Sequence, residues 1–280
     1  MPGTEIAFTE AGKGIPVVLL HGYPFDKSMW SGQIEALAAA GFRAIAPDLR
    51  GLGETVAPTL VGEFARDSHR LKSVPPATMD DMARDTAALL DHLGVEQAVI
   101  CGLSMGGYVA FEFVELFPAR VVGLVLAGTR APADNEQEKA GREQQVQTML
   151  RAGMVPISIA TLPKLLASRT LAEKPDVVKR VRAMITRSDP NGAAAAQRGM
   201  AARRDYTEDL SQINAPTLII VGREDSIRPV ADAEFMHRGI SNSRLEVIED
   251  AAHMTNMEQP EKFNRAVIDF VRNCGAVARP

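Results

Sequence analysis

The sequence predicts an α/β domain built on a mostly parallel sheet, and three observations carry that prediction. Short apolar runs ending in glycine or polar residues recur along the chain, and segments of helical period lie between them. A long helical stretch without a strand-like run interrupts the alternation past the middle. At 280 residues, one sizeable core with an insertion accounts for the length.

The runs GIPVVLLHG (14–22), FRAIAPDLRG (42–51), QAVICGLS (97–104), VVGLVLAG (121–128) and PTLIIVG (216–222) read as buried strands. Their apolar residues do not alternate with polar ones, so both faces need cover, as in a parallel sheet flanked by helices. WSGQIEALAAAG has helical period, and so does TMDDMARDTAALLDHLG. In the latter Thr78 is placed as an N-cap, and Met82, Thr86, Leu89, Leu90 and Leu93 share one side. RLEVIEDAAH and QPEKFNRAVIDFVRNC supply a last strand and helix, and TEIAFTEAG reads as a leading hairpin arm. Residues 131–210 are helical in character and divide the core into 1–130 and 211–280, so they are expected to form a lid, or cap. Residues 54–77 form a long, polar, proline-containing connection, of the length that is more often functional than neutral.

Bulk properties narrow the function. A formal net charge of -4 with interspersed signs provides no concentrated positive field, which excludes nucleic acid as an expected partner. Cys101 and Cys274 stand far apart, with no CxxC pair or metal-ligand spacing, and fit a reducing compartment. No apolar run reaches the ~18 residues of a membrane span and no leader pattern is present, so a cytoplasmic protein without membrane contact is expected. A homo-oligomer stays open.

The chemistry is read from GLSMGG, residues 102–107, which joins a buried strand to a helix. Gly102 and Gly106 flank Ser104 at the spacing of a sharp strand-to-helix turn that exposes a serine hydroxyl. The motif alone is weak; its context strengthens it. Serine needs a base, and the base an orienting acid. His92, His237 and His69 read as solvated side chains. His253, in the loop EDAAHMTN after the last strand, is placed to act as the base. Asp225 in VGREDSIRP follows an earlier strand and is the stronger candidate acid. Glu224 is its adjacent competitor, Asp250 lies too close to His253 along the chain, and AGTR (127–130) offers no carboxylate. The chain order Ser104, Asp225, His253 is that of nucleophile-elbow hydrolases.

An oxyanion needs donors fixed in advance. The backbone N–H groups of Met105, at the helix start, and Tyr23, in HGYP, are the candidates, with Gly22 permitting the bend and His21 as a positioning residue. Met149, Met154, Met184 and Met200, with Leu150, Leu162 and Leu165, are available for an apolar wall over the site. Packing between lid helices is the stronger reading for them, as core packing is for Phe25 and Trp30.

Together, VVLLHGYPFDKSMW, APDLRGLGET, GLSMGGYVAFE, PTLIIVGRED and EDAAHMTNMEQPEKF resemble the α/β-hydrolase superfamily, in particular bacterial carboxylesterases and 3-oxoadipate enol-lactonase-like hydrolases. The resemblance covers the core almost end to end. It implies an α/β-hydrolase fold with an eight-stranded, mostly parallel sheet, a helical cap after the sixth strand, and no cofactor. It also implies a Ser104–His253–Asp225 triad and Tyr23 and Met105 oxyanion amides. The 54–77 loop is longer than is usual among such proteins. The expected activity is hydrolysis of a small-molecule ester or lactone with a small to medium acyl group, through an acyl-enzyme. C–C bond hydrolysis and perhydrolysis use similar triads, and a slow-turnover receptor shares the fold. No HExxH or carboxylate–histidine cluster suggests a metal.

Overall fold

The structure is a computed structural model that describes residues 5–55 and 76–277. One sheet of seven strands runs through the described residues in the order β1-β3-β2-β4-β5-β6-β7. The strands are β1 (Phe8–Ala11), β2 (Pro16–Leu20), β3 (Arg43–Pro47), β4 (Ala98–Leu103), β5 (Val121–Ala127), β6 (Thr217–Gly222) and β7 (Ser243–Ile248). All pairs are parallel except β1–β3, with Phe8 opposite Pro47.

The described residues hold seven strands of a sheet expected to have eight in the whole chain. One detail changes: the leading arm is one strand rather than a hairpin. Ahead of β1 the Ala7 carbonyl accepts from Asp48 N–H at 2.8 Å, and the Ala7 N–H donates to the Thr55 hydroxyl oxygen at 3.0 Å. Strand β1 pairs with β3 across the edge because β2 is already held between β3 and β4.

Helices α1 (Ser31–Ala39), α2 (Met79–His92), α3 (Met105–Leu116), α9 (Val230–Gly239) and α11 (Pro260–Val277) accompany the sheet, with the short α10 (Thr255–Glu258) before the last. Register shows that both faces are covered. Gly102 of β4 lies against Gly106 of α3, whereas Gly123 of β5 lies against Phe270 and Cys274 of α11. Gly102 pairs with Leu126 and Val99 with Gly123, so side chains at 102 and 123 project to opposite faces. The central strands are accordingly buried throughout, from Val17 to Leu20 and from Val99 to Cys101. Thr78 caps α2 as expected, accepting from Asp81 N–H in a capping box, and Met82, Thr86, Leu89 and Leu90 are buried while Leu93 is half-buried. Phe25 and Trp30 belong to the core, Trp30 against Phe263.

Five helices stand between β5 and β6: α4 (Glu136–Ala152), α5 (Met154–Leu165), α6 (Ser168–Glu173), α7 (Pro175–Arg187) and α8 (Pro190–Ala201). Of the 54–77 connection, residues 56–75 lie outside the described residues. Among the described residues no helix is long and apolar enough to cross a membrane.

Candidate active site

The strand order reverses direction between β2 and β4, because the chain leaves β2 for β3 and returns to the other side of β2. A crevice opens at such a switch point beyond the carboxyl ends of the strands. His21, Gly22 and Tyr23 leave β2 there, and Ser104 leaves β4.

Ser104 has φ 56° and ψ -112°, a conformation that side chains rarely adopt. Its surroundings hold it in place. The Ser104 N–H donates to Ala127 O at 2.8 Å, and its carbonyl accepts from Gly107 N–H at 2.9 Å. The Thr129 hydroxyl donates to the same carbonyl at 2.9 Å. The glycines are a steric requirement: a Cβ on Gly102 would fall 2.1 Å from Gly106 O, and one on Gly106 2.1 Å from Leu20 O.

His253 and Asp225 meet across the ends of β7 and β6. His253 Nδ1 is 2.8 Å from Asp225 Oδ2, and both side chains are buried. The other carboxylate oxygen accepts from Ile227 N–H at 2.9 Å and Arg228 N–H at 2.8 Å. Glu224 is exposed and points elsewhere, accepting from Ser168 N–H, and Asp250 faces Arg169. Gly128, in the AGTR stretch, has φ 49° and lies beside the pair, with His253 and Asp225 both 3.4 Å from where its Cβ would be. His92 and His237 are exposed, and His69 lies outside the described residues.

His21 is completely buried, and its ring nitrogens are both engaged. Nε2 accepts from Leu49 N–H at 2.8 Å, so Nδ1 carries the proton and donates to Gly22 O at 2.9 Å. Burial lowers its pKa, and the ring stays neutral. It braces the turn that leads from Gly22 to Tyr23.

Ser104, His253 and Tyr23 line one cavity of about 150 Å³, to which α4, α5 and α8 contribute the opposite wall. Of the seven lid residues considered for an apolar wall, only Leu165 and Met200 line it. Met149 touches the Tyr23 hydroxyl through its sulfur, at 3.7 Å. Pro24 and Ile227 add apolar surface, and the wall also carries polar groups, among them Tyr108, Arg142, Gln197 and Arg228. Sequence periodicity marks apolar faces and is blind to such groups, because each is drawn in by a partner distant in the chain. Arg228 donates to the Tyr108 hydroxyl oxygen from Nε at 3.1 Å and Nη2 at 2.7 Å, and Arg203 lies 4.1 Å over the Tyr108 ring. Burial raises the Tyr108 phenol, but Arg228, Arg203 and Arg142 outweigh it and leave the group more acidic than a free tyrosine.

Beneath this wall Asp134 is buried among three guanidinium groups. Arg203 Nη1 reaches it at 2.7 Å and Arg130 Nη2 at 2.9 Å, while Arg142 donates through Nε. Burial pushes the Asp134 carboxyl up, and the bonds to Arg142 and Arg203 more than reverse this, holding it far below the usual carboxylate range. Its contribution to stability is therefore present above the ordinary carboxylate pKa and lost as pH falls. Asp134→Asn is expected to destabilise the fold by about 3–5 kcal/mol, because the fully buried Arg203 side chain loses its counter-charge. Urea unfolding at neutral pH measures this, and a loss below about 1 kcal/mol would contradict it.

The family profile for the alpha/beta hydrolase fold matches residues 15–260, and the chain belongs to that family. It is 32% identical over 240 residues to 3-oxoadipate enol-lactonase 2 of Acinetobacter baylyi, covering 86% of this chain and 82% of that one. A thermophilic esterase from Thermogutta terrifontis, with malate bound, superposes with TM-score 0.88 at 40% identity, over 96% of this chain and 93% of the other. The enol-lactonase from Burkholderia xenovorans LB400 does so with TM-score 0.85 at 26% identity, over 97% and 98%.

Proposed function

We propose that the protein hydrolyses carboxylic esters or lactones through an acyl-enzyme on Ser104, with His253 as general base and Asp225 as its orienting acid. The observation that carries this reading is the buried 2.8 Å His253–Asp225 contact at the cavity holding the strained Ser104. With Nδ1 donating to Asp225, Nε2 is left as the acceptor for the Ser104 proton. The serine oxygen adds to the carbonyl, and the N–H groups of Tyr23 and Met105 hold the oxyanion. His253 then protonates the departing alkoxide, and water repeats the sequence to release the acid. Residues 131–210 serve as the cap. The cytoplasm is the compartment that suits the two free, buried cysteines.

The cavity supports a small to medium acyl group that carries an acceptor oxygen or carboxylate of its own. Among the described residues its lining includes Arg142 and Arg228 and no carboxylate. Both lone pairs of the Tyr108 oxygen are taken by Arg228, so its own proton is free to donate to substrate. The relatives point the same way, one being a lactonase of a 3-oxoadipate enol and another holding malate.

A panel of esters, lactones and vinylogous diketones, with a fluorophosphonate probe and peptide mapping, tests the reaction class. Ester or lactone turnover with label on Ser104 is expected; diketone cleavage alone would make the protein a C–C hydrolase. Fast multiple turnover dismisses a receptor role. For the acyl group, monomethyl succinate is expected to exceed methyl butyrate in kcat/KM by roughly tenfold, with Tyr108→Phe narrowing the gap. Equal rates, or a preference for long acyl chains, would remove this assignment.

A further inference from the structure

The loop carrying His253 is tied on both sides to the inserted helices, at the junction between α5 and α6. Ahead of the histidine, Ala252 N–H donates to Glu258 Oε1 at 2.8 Å. Behind it, Met254 N–H donates to Leu165 O at 3.2 Å. The second oxygen of Glu258 accepts from Ala167 N–H at 2.7 Å, in the junction itself. Glu258 is completely buried, and its carboxylate thus joins the base loop to the cap with one oxygen on each. Lys174 adds a bond from Nζ to Glu258 O at 2.5 Å, and Ser168 N–H reaches Glu224, the neighbour of Asp225, at 3.3 Å. Elsewhere the cap rests on the core through α7, where Arg187 Nη2 donates to Asp26 at 2.6 Å, and through α8, where Ala195 O accepts from Ala77 N–H at 3.0 Å.

A buried carboxylate is costly unless its oxygens are satisfied, and here the donors come from two separate parts of the fold. Moving the junction away strips one oxygen of its donor and frees the Met254 amide at the same moment. We propose that Glu258 is a positioning residue for His253, a latch through which docking of the α5–α6 junction aligns the imidazole with Ser104. The inference rests on His253 being the base. It adds that the cap, besides shaping the cavity, governs the chemical step.

Ala167→Pro isolates the latch. Ala167 has φ -60° and the preceding Leu166 φ -122° and ψ 140°, so proline fits the backbone while its ring replaces the N–H that Glu258 needs. Glu258→Gln is the second variant, since an amide presents only one acceptor to the two N–H groups. The readouts are steady-state kinetics, the rate of Ser104 phosphonylation per folded active site, and amide hydrogen exchange at Ala252 and Met254. In both variants kcat and the phosphonylation rate are expected to fall at least tenfold, with KM changed less than threefold and exchange accelerated at both amides. If Ala167→Pro does not fold, Glu258→Gln decides. Wild-type phosphonylation rates in a folded variant would overturn the latch, as would KM rising with kcat unchanged. A wild-type protein that fails to label at Ser104 would instead overturn the hydrolase reading.

Discussion

Ser104→Ala is expected to lower kcat/KM for a short-chain ester by roughly 10⁴- to 10⁶-fold while leaving the fold intact. The covalent route disappears with the hydroxyl, and only binding and oxyanion stabilisation of direct water attack remain. Alanine makes the same demand on the backbone at φ 56° as serine does, and the Ser104 side chain makes no capping bond whose loss would unfold α3. Stopped assays on purified protein with matched circular dichroism measure the effect. Turnover retained above about one part in a hundred would remove the acyl-enzyme from the mechanism.

Asp225→Asn is expected to cost about 10⁴ in kcat, for a reason that the local bonds supply. One oxygen at this position accepts from Ile227 and Arg228 N–H groups, so the asparagine carbonyl is drawn to that side. Its NH₂ then faces His253 Nδ1, which must accept rather than donate. The ring proton moves to Nε2, and the base has no lone pair for Ser104. Glu224→Gln is the matched control, because that side chain is exposed and bonds only to Ser168 N–H among its described contacts. A loss in the Glu224 variant comparable to that in the Asp225 variant would reassign the acid.

The amino-acid sequence by itself determined the alternation of buried strands and amphipathic helices, since burial on two faces or one leaves a periodicity that can be read without coordinates. It also determined the elbow, because glycines at 102 and 106 are steric necessities of a turn that lets no Cβ past Gly106 O or Leu20 O. The order of Ser104, Asp225 and His253 at the ends of three different strands was legible for the same reason: parallel strands bring their carboxyl ends to one edge. Tertiary structure alone decided the rest. The leading arm gave one edge strand instead of a hairpin, because pairing partners are chosen by which strand side is free. The Tyr108–Arg228 wall, the Asp134 cluster and the Glu258 latch depend on polar contacts between residues as far apart as 120, 69 and 91 positions. A charged side chain in a one-dimensional pattern looks solvated whether or not folding provides a buried partner, and only the packed chain shows which ones it does.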